Sequence, residues 1–599
     1  MNKVSKFFSL ILSMTICLSN SQGLAISQEI PINKLSLDLQ KTLEEVSDEE
    51  TIPICIWIED IDYEEVENNV FSKTGLSDEI LFNVASELYK PLNNNCVKKI
   101  EEKHGVIEIE EDKTEVAESS SGDIQPLDNN YLEKLKAFYE ENFNDISELS
   151  LNVNTYISEK RAIAKAEYDI HNKKFVDEYL KSDKIDFVSS YAPMIIAELN
   201  KEDINKLERI NSVEEVYLYT ISDDYDLGNI DIGVSSIDGD YVRDYIGCNG
   251  LGIKIGQIES GRPKTGISEL ASTSITRSGY NNNTNHASLV AAIIAGSSGM
   301  VPQASLYCTT VDDFYQNAEW LISSGVTVIN CSNGVADNGQ YNDEAKWIDH
   351  VVNQHNVSWV QASGNNGPNG YVLKRGLSYN AITVGAIDDN DTVSTSDDSY
   401  ATFTSYNYST ACLGMKPDVI APGCEISLSN GYLDSGTSFA APHVTGMVAQ
   451  LMKYMPYYSL RPDAIKAAVL SSCDRKVTNE FLGWITNKEG AGVVNAISAI
   501  HSLFNCDTLS GTTSYITYTY SPQTSGFKKF VISWIKQNTN TGTNHSIPST
   551  DPAVTNFNLR VYNSDGYIVA SSLSEYNNAE LVGFTADSSQ TYTVKMSLS

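Results

Sequence analysis

Positive charge is scarce in this 599-residue chain, which has 42 Lys and Arg against 78 Asp and Glu. The net charge of −36 argues against a nucleic-acid-binding protein, because such a protein presents a basic face to the phosphates. Long apolar runs are scarce as well. Beyond the first 25 residues no stretch is apolar for long enough to cross a membrane, and the C-terminus carries no anchor. The sequence therefore predicts neither a nucleic-acid partner nor a membrane anchor.

A disulfide framework is also not indicated, since none of the ten cysteines forms a C-x-x-C pair. Seven cysteines follow residue 226, which is an odd number. Cys308 and Cys331 lie in apolar, strand-like runs, where a buried free thiol is common. A single disulfide between Cys412 and Cys424 stays open as an alternative.

Residues 1–25 have the pattern of a secretory signal peptide. Lys3 and Lys6 precede an apolar stretch from Phe7 to Leu18, and small residues follow it. The stretch is too short and wrongly flanked for a membrane span. We therefore expect a secreted protein, and the chain length predicts several domains rather than one core.

Residues 26–225 hold most of the acidic excess and mix short strands with helical patterns. Strands are predicted at 52–58, 185–191, 194–199 and 213–219, and helices at 60–71 and 200–210. Residues 76–184 form an insertion with charged helical patterns, broken by a polar linker at 108–126. Without this insertion the order is β-α-β-β-α-β, which predicts a ferredoxin-like α+β domain.

From Gly250 the chain alternates strands and helices with Gly-rich connections, which predicts an α/β domain with a parallel sheet covered on both faces. The strand at 253–258 ends at Glu259. Two further buried strands, at 326–332 and 357–362, each end in a polar turn. Such sheets place their functional groups at the carboxyl ends of the strands.

After Cys506 the pattern changes to short alternating strands, with a turn at Asn563-Ser-Asp-Gly566. We expect an all-β sandwich over 507–599. Its expected role is to stabilise the preceding domain, with carbohydrate or cell-wall binding as the alternative.

Ser438 follows a Gly-Thr turn and opens an apolar run from Phe439 to Met452. This pattern predicts a hydroxyl at the N-terminus of a buried helix, where free N–H groups and the helix dipole favour negative charge. As a bare pattern it also fits an N-cap serine on a core helix. The Gly-x-Ser-x-Gly elbow of α/β-hydrolases is not satisfied, because Ala440 stands at its second glycine.

Three segments together resemble the signatures of the subtilase family: Gly436-Thr-Ser-Phe-Ala-Ala-Pro-His-Val-Thr-Gly446, His286-Ala-Ser-Leu-Val-Ala-Ala292 and Ala362-Ser-Gly-Asn-Asn-Gly367. The resemblance implies a serine endopeptidase in which His286 is the base for Ser438. It further implies that Asn365 and the Ser438 backbone N–H bind the oxyanion. Substrate backbone would pair with two segments on either side of the cleft, made of Ser332, Asn333, Gly334, Ser363 and Gly364.

The chain departs from the family where an aspartate is usual and Glu259 stands instead, in Gln257-Ile-Glu-Ser-Gly261. Glu259 keeps the carboxylate but adds one methylene, and we expect it to orient His286. A degenerate protease that only binds peptides is the competing interpretation. Leu289 also replaces the second histidine of the family's HGTHVAG motif, which removes a polar neighbour that is frequent in the family.

Three other histidines have no predicted catalytic role. His350 and His355 lie in a polar helix-and-loop context and are predicted to be surface residues. His443 lies in the segment Gly436–Gly446, which contains Ser438, and is predicted to be structural.

The resemblance also implies the domain organisation. Residues 26–225 would be a propeptide that acts as folding chaperone and inhibitor and is cut off between about Tyr219 and Ile230. The catalytic domain would span 226–506, before the sandwich at 507–599. Calcium is implied by the family only; no ligand loop is identified and no metal site is assigned. The expected partners are a protein or peptide substrate and the chain's own propeptide. A surface adhesion protein in which the sandwich is the working part is a further alternative.

Overall fold

The structure is a computed structural model that describes residues 34–47, 50–92, 97–102, 129–180, 184–218, 230–335, 339, 341–407, 414–478, 480–504, 506, 515–536, 556–574 and 577–598. Several predicted features lie outside the described residues. They are the signal peptide at 1–25, the linker at 108–126, residues 219–229 of the expected cleavage zone, and Cys412.

The N-terminal region contains a four-stranded antiparallel sheet with long helices between its strands. Its elements are α1 (Leu37–Glu45), β1 (Thr51–Ile58), α2 (Tyr63–Thr74), α3 (Asp78–Tyr89), β2 (Val97–Glu102), α4 (Asn129–Glu141), α5 (Phe143–Tyr179), β3 (Ile185–Val188), β4 (Met194–Asn200), α6 (Lys201–Leu207) and β5 (Val213–Leu218). The strand order is β3-β4-β1-β5. With α2 and α6 as its two connecting helices, this is the predicted ferredoxin-like order.

The predicted helical insertion is present as α3, α4 and α5, but one part of the prediction is wrong. Residues Val97–Glu102 form the strand β2 instead of a helix. This strand pairs antiparallel with Ile516–Tyr520 near the other end of the chain. A partner so distant in sequence leaves no trace in a local helical pattern.

The central region is an eight-stranded sheet with helices on both faces. Its elements are α7 (Asp231–Ser236), β6 (Lys254–Glu259), β7 (Arg262–Pro263), β8 (Ser274–Arg277), β9 (Asn283–Thr284), α8 (Asn285–Ala295), β10 (Ser305–Thr310), α9 (Phe314–Ser323), β11 (Val328–Cys331), α10 (Asp343–His355), β12 (Ser358–Ala362), β13 (Ile382–Asp388), β14 (Ser399–Tyr400), β15 (Val419–Pro422), β16 (Ile426–Ser427), β17 (Leu433–Asp434), α11 (Thr437–Tyr454), α12 (Pro462–Ser472) and α13 (Ala496–Phe504). Short 3₁₀ turns occupy Lys90–Leu92, Ser268–Leu270, Gly367–Asn369, Lys374–Leu377 and Pro456–Leu460, and a π-turn occupies Tyr241–Ile246.

The strand order of this sheet is β14-β13-β12-β11-β6-β10-β8, and β15 pairs with β13. All pairings are parallel except that of β13 with the short β14. Successive residues of one strand serve opposite faces: Val328 packs with α8 and α11, while Ile329 packs with α9 and α10. The predicted α/β sheet covered on both faces is confirmed.

The N-terminal sheet packs on the α9–α10 face of the central region. Trp57, Met194 and Tyr217 from its strands join Phe314 and Trp347 in one buried cluster. The two parts of the chain therefore share a continuous apolar core.

The C-terminal region is the predicted sandwich of antiparallel strands. Its strands are β18 (Tyr515–Tyr520), β19 (Gly526–Ser533), β20 (Phe557–Tyr562), β21 (Ile568–Ser572), β22 (Ala579–Ala586) and β23 (Tyr592–Leu598). They form the sheet β2-β18-β23-β20-β21 and the pair β19-β22. The backbone of Lys536 docks on the central region through a reciprocal pair of hydrogen bonds with Asn380, of 2.8 and 2.9 Å.

The predicted free, buried thiols are confirmed at Cys308 and Cys331, and Cys424 is a free, buried thiol too. Within the described part of the chain, no helix is long and apolar enough to cross a membrane.

Candidate active site

Three elements end or begin together at the carboxyl edge of the parallel sheet. Glu259 is the last residue of β6, His286 is the second residue of α8 and Ser438 is the second residue of α11. All three are buried, with exposed fractions of 0%, 5% and 7%. The start of α8 is fixed by Thr284, whose side chain accepts a hydrogen bond from Ala287 N.

Glu259 and His286 form a buried pair, in which Oε2 of the glutamate lies 3.0 Å from Nδ1 of the histidine. Apart from this contact, no described group gives a hydrogen bond to either carboxylate oxygen of Glu259. A buried carboxylate is costly without a partner, so the imidazole Nδ1–H is the group that compensates it. The contact is at hydrogen-bonding distance but outside hydrogen-bonding angles, and it favours the tautomer that carries its proton on Nδ1 and leaves Nε2 as the basic nitrogen.

Ser438 is held against the end of β11 by two reciprocal hydrogen bonds. Its hydroxyl donates to the Ser332 carbonyl at 2.9 Å, and the Ser332 hydroxyl donates to the Ser438 carbonyl at 2.7 Å. The next residue, Phe439, has its ring centroid 5.1 Å from that of His286. The nucleophile candidate and the base candidate therefore share one cleft, at the positive end of the α11 dipole.

The side-chain amide of Asn365 has a defined orientation. Its Oδ1 accepts hydrogen bonds from the backbone N–H and from the hydroxyl of Thr437, both at 2.9 Å. The Thr437 hydroxyl in turn accepts from Gly364 N at 3.0 Å. With Oδ1 so occupied, Nδ2 is the end of the amide that is left to donate.

Thr437 supports the candidate site through hydrogen bonds, and the sequence analysis did not single it out. It lies in the segment Gly436–Gly446, immediately before Ser438. Its position next to the predicted nucleophile could have identified it from the sequence. Its hydroxyl joins the first turn of α11 to the segment after β12.

The two predicted substrate-binding segments follow neighbouring strands. Asn333 and Gly334 come after β11, and Ser363 and Gly364 come after β12. Leu373 lies between them: its N–H donates to the Ser363 carbonyl at 3.0 Å, and it is 8% exposed.

The Leu373 side chain fills the space between the two glycines. A Cβ placed on Gly334 would lie 3.3 Å from Leu373 Cδ1, and one on Gly364 would lie 3.0 Å from Leu373 Cδ2. Gly364 also has a φ of +106°, which side-chain-bearing residues rarely adopt. Nothing in the local sequence pattern pointed to Leu373.

The prediction that His350 and His355 are surface residues is wrong. They are 2% and 0% exposed, because the N-terminal region covers them. His350 Nε2 lies 2.9 Å from the Tyr168 hydroxyl of α5, and His355 Nε2 lies 2.8 Å from the Tyr191 carbonyl.

His443 is buried within α11. Its Nδ1 lies 2.8 Å from the Phe439 carbonyl, and burial lowers its pKa to about 4. A Cβ on Gly233 would lie 2.8 Å from its Nε2, so α7 covers the ring closely. Leu289 is likewise fully buried, in α8.

Among the described side chains, no group of three or more His, Cys, Asp or Glu is arranged to hold a metal ion. The calcium that the resemblance implies therefore has no carboxylate cluster here that fits it, and we assign it no ligands.

The sequence model of the subtilase family matches residues 177–494, more than half of the chain. Serine protease AprX of Bacillus subtilis (strain 168) is 31% identical over 223 residues, which cover 32% of this chain and 48% of AprX. The chain thus spans about half the length of that relative. The thermostable alkaline protease of Halalkalibacterium halodurans is 27% identical over 300 residues, covering 45% of this chain and 74% of that protein. Subtilisin Savinase of Lederbergia lenta is 28% identical over 277 residues, covering 42% of this chain and 92% of that protein.

Among solved structures, the prenylagaramide maturation protease PagA is similar, with 22% identity and a TM-score of 0.36 over 44% of this chain and 98% of that one. The family match includes the ends of β6, β11 and β12 and the starts of α8 and α11, where the buried cluster is built. This chain therefore belongs to the subtilase family of serine endopeptidases.

Proposed function

We propose that this chain is a secreted serine endopeptidase that is made as a zymogen and cleaves peptide bonds through an acyl-enzyme. The observation that carries the proposal is the buried contact between Glu259 and His286, whose ring packs on Phe439, the residue after Ser438. A serine hydroxyl is a weak nucleophile at its own pKa, and this arrangement supplies the base and the group that orients it.

In the proposed first step, Ser438 Oγ turns from the Ser332 carbonyl and attacks the substrate carbonyl carbon while His286 Nε2 takes its proton. The C–N bond then breaks as His286 returns that proton to the leaving amine. Water attacks the acyl-enzyme with His286 again as base, and the acid product and free Ser438 result. Glu259 stays ionised throughout and stabilises the imidazolium.

The negative charge that develops on the substrate oxygen needs donors already in place. Asn365 Nδ2 is one, since Thr437 holds the other end of the amide. The Ser438 backbone N–H, at the start of α11, is the other. Each such donor contributes about 10²–10³ in turnover in related enzymes.

The substrate is proposed to be an extended protein or peptide chain. It would lie between the segment Ser332, Asn333 and Gly334 and the segment Ser363 and Gly364, and pair with their backbones. Leu373 packs between these segments, and on this ground we propose a preference for small residues on the amino side of the cleaved bond.

For the zymogen, we propose a signal peptide at 1–25, a propeptide at 26–225, a catalytic domain at 226–506 and a stabilising sandwich at 507–599. The ferredoxin-like sheet packed on α9 and α10 supports a propeptide that folds with the enzyme and inhibits it. The hydrogen bonds between Lys536 and Asn380 support a stabilising role for the sandwich.

A serine-reactive phosphonate probe tests the activity, with Ser438→Ala as the matched control. We expect labelling of the purified, processed wild type and none of the variant. Processed wild-type protein that stays unlabelled would favour the silent peptide-binding alternative. N-terminal sequencing of secreted protein tests processing, for which we expect a new N-terminus between Tyr219 and Ile230.

A further inference from the structure

A second polar side chain of β6 faces the helix that carries the candidate base. Successive residues of a strand point to opposite faces of the sheet, so Gln257 and Glu259 share one face, while Ile258 packs on the other with α9 and α10. Gln257 is fully buried, with an exposed fraction of 0%. A buried amide costs free energy unless its donors and its acceptor find partners. The partners of Gln257 therefore indicate what this side chain does.

The amide of Gln257 is bonded to the first turn of α8. Its Nε2 donates a hydrogen bond to the Ala287 carbonyl at 2.8 Å. Ala287 is the residue after His286, and its N–H donates to Thr284 Oγ1 at 3.1 Å. Side chains from β6 and from the residue before α8 thus hold both backbone groups of Ala287. Because His286 is the adjacent residue, these two bonds restrict the point from which its ring projects.

The orientation of the Gln257 amide is set by β10. Cys308 lies opposite Gln257 in the parallel register of β10 and β6, and its Sγ donates to Gln257 Oε1 at 3.6 Å. Burial raises the pKa of the Cys308 thiol to about 12, so the thiol keeps its proton at neutral pH. With Oε1 turned to β10, Nε2 is the end of the amide that points to α8.

The carboxylate of Glu259 meets the same helix two residues further along β6. Its Oε2 lies 3.0 Å from His286 Nδ1, and no described group gives the carboxylate another hydrogen bond. A glutamate side chain has several rotatable bonds, so this contact alone can follow the ring when α8 moves. A second contact between β6 and α8 is needed to keep the ring in place, and the bond from Gln257 to Ala287 is such a contact.

We propose that Gln257 is a positioning residue for the base of the reaction. Its hydrogen bond to Ala287 fixes the separation of β6 and α8 at which Glu259 meets the imidazole of His286. Gln257 is buried beneath α8 and acts through His286. The role rests on the proposed function, because it is as the base for Ser438 that His286 needs precise placement.

Gln257→Met tests this role, with Gln450→Met as the matched control. Methionine has nearly the volume of glutamine but offers no donor to the Ala287 carbonyl. Gln450 is an equally buried glutamine in α11, whose Nε2 donates to the carbonyls of Gly239 and Met300. Both variants lose a buried amide, so a general loss of stability affects both, whereas only Gln257→Met releases α8 from β6.

The first measurement does not depend on activity. In Ser438→Ala protein with labelled histidines, an NMR titration gives the pKa of His286, whose signal is assigned by its absence in His286→Gln. The negative Glu259 favours the protonated imidazole, so a looser pair lowers this pKa. We expect Gln257→Met to lower it by about half a pH unit and Gln450→Met to leave it unchanged. An unchanged pKa in Gln257→Met would overturn the proposal, even for a silent binding protein.

Kinetics then separate the positioning of the base from effects on substrate binding. With active enzyme counted by the phosphonate probe, we expect Gln257→Met to lower kcat about tenfold with little change in KM. In a Glu259→Ala background the same change should cost less than about twofold, because the pair that it positions is already lost. An equal loss in both backgrounds would contradict the proposal. An inactive wild type would contradict the proposed function instead, and the NMR titration would then decide the role of Gln257.

If Gln257→Met does not fold, Gln257→Asn takes its place. Asparagine keeps a buried amide beside Cys308 but is a methylene shorter, so it does not reach the Ala287 carbonyl. We expect the same lowered pKa of His286 in this variant. A pKa equal to that of the parent protein would overturn the proposal.

Discussion

A glutamate reaches one methylene further than an aspartate, yet Glu259 Oε2 lies 3.0 Å from His286 Nδ1, a normal hydrogen-bonding distance. We predict that Glu259→Ala lowers turnover by up to about 10⁴-fold, near the cost of losing the orienting aspartate in subtilisin. Glu259→Asp should lose less, since it keeps a carboxylate at a longer distance. Steady-state kinetics on a peptide substrate measure both, and unchanged turnover in Glu259→Ala would remove it from the catalytic group.

Leu373 is expected to set the size of the side chain that the cleft accepts before the scissile bond. Its Cδ2 would be only 3.0 Å from a Cβ on Gly364, so its side chain lies against the backbone of the second substrate segment. We predict that Leu373→Gly raises kcat/KM for peptides with phenylalanine at that position by tenfold or more relative to alanine peptides. A paired set of peptides that differ at this residue alone gives the ratio. The same ratio in wild type and variant would show that Leu373 does not limit specificity.

The first turn of α11 joins the nucleophile candidate to the amide donor through Thr437. We predict that Thr437→Val lowers kcat about tenfold with little change in KM. Valine keeps the hydrogen bond from the backbone N–H of residue 437 to Asn365 Oδ1 but loses the one from the hydroxyl, so the Asn365 amide is held less firmly. Thr327→Val is the matched control, since the Thr327 hydroxyl has no hydrogen-bond partner among the described residues. A kcat equal to that of the control would contradict the positioning role.

The elements of the central sheet could be predicted from the sequence because their signals are local. Each buried strand is a short apolar run that ends in a polar turn, and α8 and α11 begin at recognisable sequence motifs. The burial of His350 could not be predicted in this way. Its helix, α10, has polar residues on the side that faces away from the parallel sheet, and it is α5, more than 170 residues earlier, that covers this side.

The same limit applies to other contacts between distant parts of the chain. The pairing of β2 with β18 and the contacts of Arg161 with His355 join segments that are too far apart in the chain for a local sequence pattern to indicate the contact. The position of Leu373 between two substrate segments is of this kind too. The motif residues of the candidate site could be proposed from the sequence, whereas the residues that shape and support the site required the three-dimensional structure.

At the scale of the whole molecule, the interface between the N-terminal region and α10 contains two buried histidines. His350 faces the Tyr168 hydroxyl of α5, Asp60 at 3.6 Å and Lys346 of its own helix. His355 faces the Tyr191 carbonyl, His350, Arg161 and Lys160. Burial is the main reason why the pKa of each histidine is lowered from the ordinary 6.5, and Asp60 opposes the effect at His350.

Acid should therefore weaken this interface through the histidines. Because their pKa is lower in the bound state than in the released state, binding is at full strength above about pH 6.5 and weakens as the pH falls below it. Glu319 acts in the opposite direction: burial raises its pKa to about 7, despite hydrogen bonds from Ser189 and Ser190, so protonation of this carboxyl favours the bound state.

A comparison of variants separates the two contributions. The measurement uses Ser438→Ala protein that has been cut after Leu218 at an inserted recognition sequence for a site-specific protease. We predict that the double variant His350→Gln and His355→Gln of this protein loses less affinity for the N-terminal fragment between pH 7 and pH 5 than the protein without the two histidine changes does. The difference should reach about tenfold per pH unit for each histidine that titrates. Glu319→Gln is the control with the opposite sign, and its affinity should fall more steeply with acid than that of the parent. Binding measured by fluorescence anisotropy across this range gives the three profiles, and parallel profiles for the parent and the double histidine variant would show that neither histidine responds to pH at the interface.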